Sequence, residues 1–152
     1  MELLPVVAKL KVPYILMHMK GLPENMQHNP TYENLMDEII LFFRNKIAAC
    51  RALGIHDIIL DPGFGFGKSL EQNYELLGKI DSLKIFNLPI LAGISRKSMV
   101  CKVLKSNPDK ALNGTTVLNT IALLNGVKIL RVHDVREAKE AIQLIQYYTV
   151  NG

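Results

Sequence analysis

Short apolar runs alternate with longer amphipathic stretches along this chain, and each apolar run ends in polar or glycine residues. That is the rhythm of strands followed by helices. The first run, PYILMHM (Pro13 to Met19), leads into a loop with Gly21 and Pro23. A helix is predicted to open near Asn29 and Pro30, a cap residue and a first-turn proline, and to run to Gly54. Leu35, Ile39, Phe42, Phe43, Ile47 and Cys50 fall on one side of it. Further strands are predicted at DIIL (Asp57 to Leu60), PILAG (Pro89 to Gly93) and KILRV (Lys128 to Val132). A helix from about Thr115 to Leu124 feeds the last strand, and REAKEAIQLIQYY follows it with Ala138, Ala141, Ile142 and Ile145 on a common face. The pattern gives an α/β fold of four βα units without linker or repeat. Four units suit either a small open doubly wound sheet or half of a (βα)8 barrel, which needs about 250 residues when complete.

Composition narrows the class. A chain of 152 residues, 49% hydrophobic and 21% charged, has the make-up of one globular domain. Its formal charge of +4 comes from scattered lysines and arginines. Without a basic run interleaved with aromatics, a nucleic-acid partner is not expected, while a small anionic substrate is. Cys50 and Cys101 lack metal spacing and are expected to be buried or idle thiols in a reducing, cytoplasmic setting. No apolar run approaches the eighteen or so residues of a membrane span, and the amino terminus lacks the order of a signal peptide, so no membrane partner is expected.

The chemistry gathers where the strands end, which is where parallel α/β folds bind ligands. Met17, His18 and Met19 follow the first strand, Asp61 the second, Ser95, Arg96, Lys97 and Ser98 the third, and Arg131 and His133 belong to the fourth. The loop DPGFGFGKS invites a phosphate, yet the phosphate-loop motif requires a glycine where Pro62 stands, and G-x-G-x-x-G fails from both Gly63 and Gly65. Lys97, Arg131 and His133, with Arg96 and Lys68 nearby, form a cationic rim, and the segment after Lys97 can start a helix with free N–H groups. Asp61 is a carboxylate at the end of a buried strand; it either starts a turn or accepts from adjacent N–H donors of a nitrogen-rich ring. The bland expectations are a satisfied core histidine at His18, a solvated Lys68, a packing role for Phe64, Met26 and Met99, loop positions for His28 and His56, and a helix cap at Asp134.

YILMHMKGLPENMQ, DIILDPGFGFGKSLEQNYELL, PILAGISRKSM and ILRVHDV together resemble the signature segments of the dihydropteroate synthases, in the same order and with similar spacing. The resemblance implies that the whole of residues 1–152 is a single partial domain, the C-terminal half of a TIM barrel. It implies a reaction joining 6-hydroxymethyl-7,8-dihydropterin pyrophosphate to p-aminobenzoate in folate biosynthesis, with release of pyrophosphate. By the same resemblance Asp61 and Lys97 would hold the pterin, with Met17 and Gly93 lining its floor. Arg131 would stack on the ring and grip the pyrophosphate with His133; Phe66 and the Lys97 stem would wall the p-aminobenzoate slot, Ser98 would take its carboxylate, and Arg96 belongs to the same substrate-binding set. Lys97, Arg131 and His133 are the implied catalytic residues. Magnesium is implied as cofactor, with its ligand in the absent N-terminal half and none among these residues, and a homodimer is expected that is inactive by itself. Two other readings stand beside this one: a non-catalytic pterin- or phosphate-binding module, and the pterin-binding domain of methyltetrahydrofolate methyltransferases.

Overall fold

The computed structural model describes residues 3–21 and 31–151. Helix α1 (Leu3–Leu10) precedes strand β1 (Tyr14–Met17), helix α2 (Leu35–Ala52) and strand β2 (Ile58–Asp61). Then come α3 (Leu70–Gly78), a 3-10 stretch (Ile80–Phe86), β3 (Leu91–Ala92), α4 (Ser98–Leu104), α5 (Leu112–Leu124), β4 (Ile129–Leu130) and α6 (Val135–Asn151). β1 pairs with β2 and β3 with β4, both in parallel, and a parallel bridge from Leu60 to Ile90 joins the two pairs. The strands therefore lie side by side in chain order. β1, β3 and β4 are shorter than their apolar runs, partly because Pro13 and Pro89, without an N–H, stand ahead of the pairing in the first two, while β2 keeps four residues shifted one onward to Asp61.

The second helix corrects the expectation for its start. Its cap is Asn34, whose extended backbone (φ −139°) lets the side chain accept from the N–H groups of Met36 and Asp37. Asn29 and Pro30 lie outside the described residues, as do Met26 and His28. Asp37 and Glu38 then complement the positive end of the helix. α3 starts at a reciprocal capping box between Ser69 and Gln72. The turns that enter the strands carry left-handed residues: Gly54 before β2, Asn87 before β3 and Gly126 before β4.

Register sorts the strands into two faces. Leu16, Ile58, Leu60, Ile90 and Ala92 are buried and share one face, packing with Ile39, Phe43 and Ile47 of α2 and Leu76 of α3 in one cluster of buried side chains. Full burial of Phe43 or Phe64 stabilises by roughly 1.5–3 kcal/mol each. Met99 is buried as expected; Cys50 is buried, Cys101 half-buried, and both thiols are free. The other face is Ile15, Met17, Ile59, Asp61, Leu91 and Ile129, continuing to Gly93 and Arg131, and it is covered less: Ile15 is 47% exposed. Among the described residues no helix is long and apolar enough to cross a membrane.

Candidate functional site

The less covered face carries Met17, Asp61, Gly93 and Arg131 at or just beyond the carboxyl ends of the four strands. Asp61 is buried beside Met17, and its Oδ1 accepts from the N–H of Gly63 at 2.8 Å. The turn role is therefore real and uses one carboxylate oxygen. The other has no hydrogen bond from the described residues.

Gly63, Gly65 and Gly67 all have positive φ, +71°, +79° and +62°. At two of them space is as decisive as conformation. A Cβ on Gly63 would stand 1.9 Å from the carbonyl oxygen of His18, and one on Gly67 would stand 2.3 Å from that of Lys20. The loop is thus pressed against the segment leaving β1. Phe64 is wholly buried, while Phe66 remains half exposed on the rim.

Lys68 is buried, not solvated as its sequence position suggests. Its Nζ donates to the carbonyls of Gly63 at 3.0 Å and Phe66 at 3.1 Å and lies 3.0 Å from His18 Nδ1. Burial, with Lys97 repelling and Asp61 attracting, pushes the Lys68 amine down to about 7. His18 is likewise pushed down to about 3, first by burial and then by Lys68, so it stays neutral, in keeping with a satisfied core histidine. Lys97 approaches the loop from the other side: its Nζ donates to the Phe64 carbonyl at 2.5 Å and sits 4.7 Å from the centre of the Phe66 ring. Burial, and next Arg131, lower it to about 8.

The loops after β3 and β4 are tied together. Ser95 Oγ meets His133 Nδ1 at 2.9 Å and accepts from the His133 N–H at 3.2 Å. Arg96 has φ +56°, its N–H donates to Thr115 Oγ1, and its guanidinium grips Asp134 through Nε at 3.0 Å and Nη2 at 2.6 Å. The pair raises Arg96 and lowers Asp134 from their ordinary values. Asp134 thus gives its side chain to Arg96, and its backbone carbonyl, not its carboxylate, accepts from Ala138 in the first turn of α6. The Arg96 fork, counted among the substrate groups from sequence, is occupied by this carboxylate. Gly93 lies under Arg131, since a Cβ there would meet Nη2 at 3.0 Å and Nε at 3.1 Å. Ser98 is exposed at the start of α4.

Two clefts open near the loop after β3, one of them lined by Lys97. One of about 270 Å³ is lined by Gly93, Ser95, Lys97, Arg131 and His133; the other, about 540 Å³, runs past Gly65, Lys68, Asn73 and Ser98. The first is cationic and suits an anion beneath an arginine; the second adjoins the glycine loop. Sequence reasoning passed over three supports: Asn73, whose Oδ1 accepts from Gly65 N–H at 2.7 Å, Tyr32, whose hydroxyl donates to Gly67 O at 2.8 Å, and Lys20, paired with Glu38 at 2.6 Å. Only the spacing of Asn73, one turn into a capped helix behind a glycine loop, hinted at any of them. Among the described residues no three His, Cys, Asp or Glu side chains stand together as a group that could hold a metal ion.

Residues 1–133 match the family model described as pterin binding enzyme. The chain is 42% identical over 145 residues to a dihydropteroate synthase of Escherichia coli, an alignment covering 94% of this chain and 51% of that protein. It superposes with a TM-score of 0.96 on the Yersinia pestis dihydropteroate synthase in a sulfonamide drug complex, at 44% identity, over 98% of this chain and 55% of that one. A dihydropteroate synthase from Clostridium difficile, crystallised in the presence of pteroic acid, matches with a TM-score of 0.85 at 38% identity, covering 93% and 52%. The chain spans about half the length of the relatives it matches.

Proposed function

The chain belongs to the pterin binding enzyme family, and from that premise we propose that its four βα units are the C-terminal half of a (βα)8 barrel carrying the pterin and p-aminobenzoate sites of a dihydropteroate synthase. The observation that carries this is the convergence of Met17, Asp61, Gly93 and Arg131 on one sheet face, with Lys97 lining the cleft beside Gly93 and Arg131. The free oxygen of Asp61 and the partner already on Oδ1 make a directed acceptor for the amino-pyrimidine edge. Arg131, over Gly93, lies flat against the pterin ring, and its fork reaches the pyrophosphate with His133, which Ser95 orients. Phe66 and the Lys97 stem flank p-aminobenzoate, and the Ser98 hydroxyl donates to its carboxylate at the outer cleft.

The amine nitrogen of p-aminobenzoate bonds to the pterin methylene carbon as the carbon–oxygen bond to pyrophosphate breaks. The amine loses a proton, and the pair of electrons leaves with the pyrophosphate oxygen. The task of the protein is to hold the charge that grows on that oxygen, which Arg131, His133 and Lys97 do from fixed positions. No enzyme nucleophile is needed. Magnesium on the pyrophosphate would take its ligands from residues outside this chain. Arg96 contributes by fixing the loop that carries Lys97. The setting is cytoplasmic, the partners are these small molecules rather than nucleic acid or membrane, and the molecule is a homodimer. Exposed Val117, Ile121 and Leu124 of α5 and Leu144, Tyr147 and Tyr148 of α6 support the last point.

Calorimetric titration of the 152-residue chain with the dihydropterin pyrophosphate, followed by an assay of pyrophosphate release with p-aminobenzoate, tests the proposal. Binding that requires the pyrophosphate group supports a synthase site and argues against a methyltransferase domain, whose chemistry has no pyrophosphate to bind. Binding without turnover is expected of a chain that spans half of its relatives. Absence of binding overturns the assignment.

A further inference from the structure

Lys68 is the buried cation that the reaction above does not use. A lysine just ahead of a helix could lie in water, yet Lys68 is only 8% exposed. A buried ammonium is tolerated only when its donors are satisfied. Here three N–H donors face three partners: Gly63 O, Phe66 O and His18 Nδ1. The two carbonyls can only accept, and the neutral imidazole accepts through Nδ1 when its proton is on Nε2.

These contacts belong to a closed circuit. Lys68 holds Gly63 O, the N–H of Gly63 holds Asp61 Oδ1 at 2.8 Å, the N–H of His18 holds the Asp61 carbonyl at 2.9 Å, and the His18 ring returns to Lys68. Both ends of residue 61, its carboxylate and its carbonyl, are therefore referred to one ammonium group. The same group holds the carbonyl of Phe66, while Lys97 holds that of Phe64. The left-handed glycines make this sharing of carbonyls between an inner and an outer lysine sterically accessible.

We infer that Lys68 is a positioning residue for ring recognition: through Gly63 and His18 it sets the direction of the Asp61 carboxylate, and through Phe66 O it sets the adjoining wall, without itself touching ligand. The inference rests on the pterin reading of Asp61. It separates two halves of the ligand, because the anion groups, Arg131 and His133, stand just beyond β4, where Ala92 O holds the Arg131 N–H and Ser95 holds His133, and neither is bonded to Lys68.

The test uses the complete 152-residue chain and two probes, 6-hydroxymethylpterin for the ring and inorganic pyrophosphate for the anion. Lys68→Met, similar in length and apolar, is expected to weaken the ring probe by about tenfold or more and the anion probe by no more than about twofold. Equal loss of both, or of neither, overturns the inference, since a merely structural lysine would not discriminate between them. If the methionine variant fails to fold, the unaltered chain decides with its lysine side chains labelled by 15N. Lys68 should give a slowly exchanging Nζ resonance that moves on addition of 6-hydroxymethylpterin and stays fixed on addition of pyrophosphate. A resonance that responds to neither probe, or equally to both, overturns it. Failure of the unaltered chain to bind 6-hydroxymethylpterin at all overturns the pterin reading, and this inference with it.

Discussion

Replacing Gly63 with alanine should destabilise the protein far more than replacing Gly54, although both glycines are left-handed. Gly54 has φ +78°, and a Cβ there meets nothing within 4 Å, so Gly54→Ala reports the conformational cost by itself. That cost is about 1–2 kcal/mol. Gly63 has φ +71° and carries the same cost, but its Cβ would also stand 1.9 Å from His18 O and 3.1 Å from His18 C. A real Cβ contact needs the strands' exits to part by about an ångström or more, and such overpacking typically costs about 1–3 kcal/mol. The movement also pulls His18 and Gly63 away from the Lys68 ammonium they share. The total is on the order of 2–5 kcal/mol, a large part of the stability of a typical domain. Urea unfolding followed by circular dichroism gives both values, and an unchanged slope would show that the unfolded states are comparable. If the two alanine variants lie within about 1 kcal/mol of each other, the close approach is not what requires glycine at position 63.

Asp61→Asn should weaken pterin binding by on the order of 2 kcal/mol and p-aminobenzoate binding much less, because an amide turns one acceptor into a donor; equal losses in calorimetric titration would contradict the assignment. Gly93→Ala should leave the melting temperature nearly unchanged, since the added Cβ meets only the far end of the exposed Arg131 side chain, yet reduce pyrophosphate affinity by displacing it; affinity like that of the parent would refute the stacking role. Acid should destabilise the chain through His18. Its folded value near 3 lies below its ordinary 6.5, so the folded state binds fewer protons, and the contribution is complete above 6.5 and is lost as the pH falls toward 3. Urea midpoints measured from pH 6.5 down to 4 should fall less steeply in His18→Asn than in the parent, and parallel curves would show that His18 is not responsible.

What the sequence disclosed was local. The glycine loop, the Ser95–Ser98 turn and Arg131–His133 are contiguous segments between strong apolar runs, and the positions of all four strands follow from those runs. Period-two register then carries Met17, Asp61, Gly93 and Arg131 to one face. Pairings across long separations were not legible. Asp134 has the composition of a helix cap, and only the fold shows that Arg96, 38 residues earlier, takes its carboxylate. Lys68 was misjudged for a similar reason: its partners include two backbone carbonyls, which every residue possesses, so no residue type advertises them. The sequence points to Asn29–Pro30 for the start of α2, whereas the cap is Asn34, immediately before Leu35, the first apolar residue of the buried stripe.

The turns entering the strands, on the rim opposite the clefts, have a practical consequence. His56 is exposed two residues ahead of β2, whose far end is Asp61. At about 3.3 Å per extended residue, five residues separate them by roughly 16 Å. A dye or a surface linker attached at His56 would therefore hang from the end of the strands away from Asp61. Immobilised by that handle, the molecule would present Asp61 and Arg131 to the solution, an orientation suited to a sensor chip for compounds that compete for the cleft.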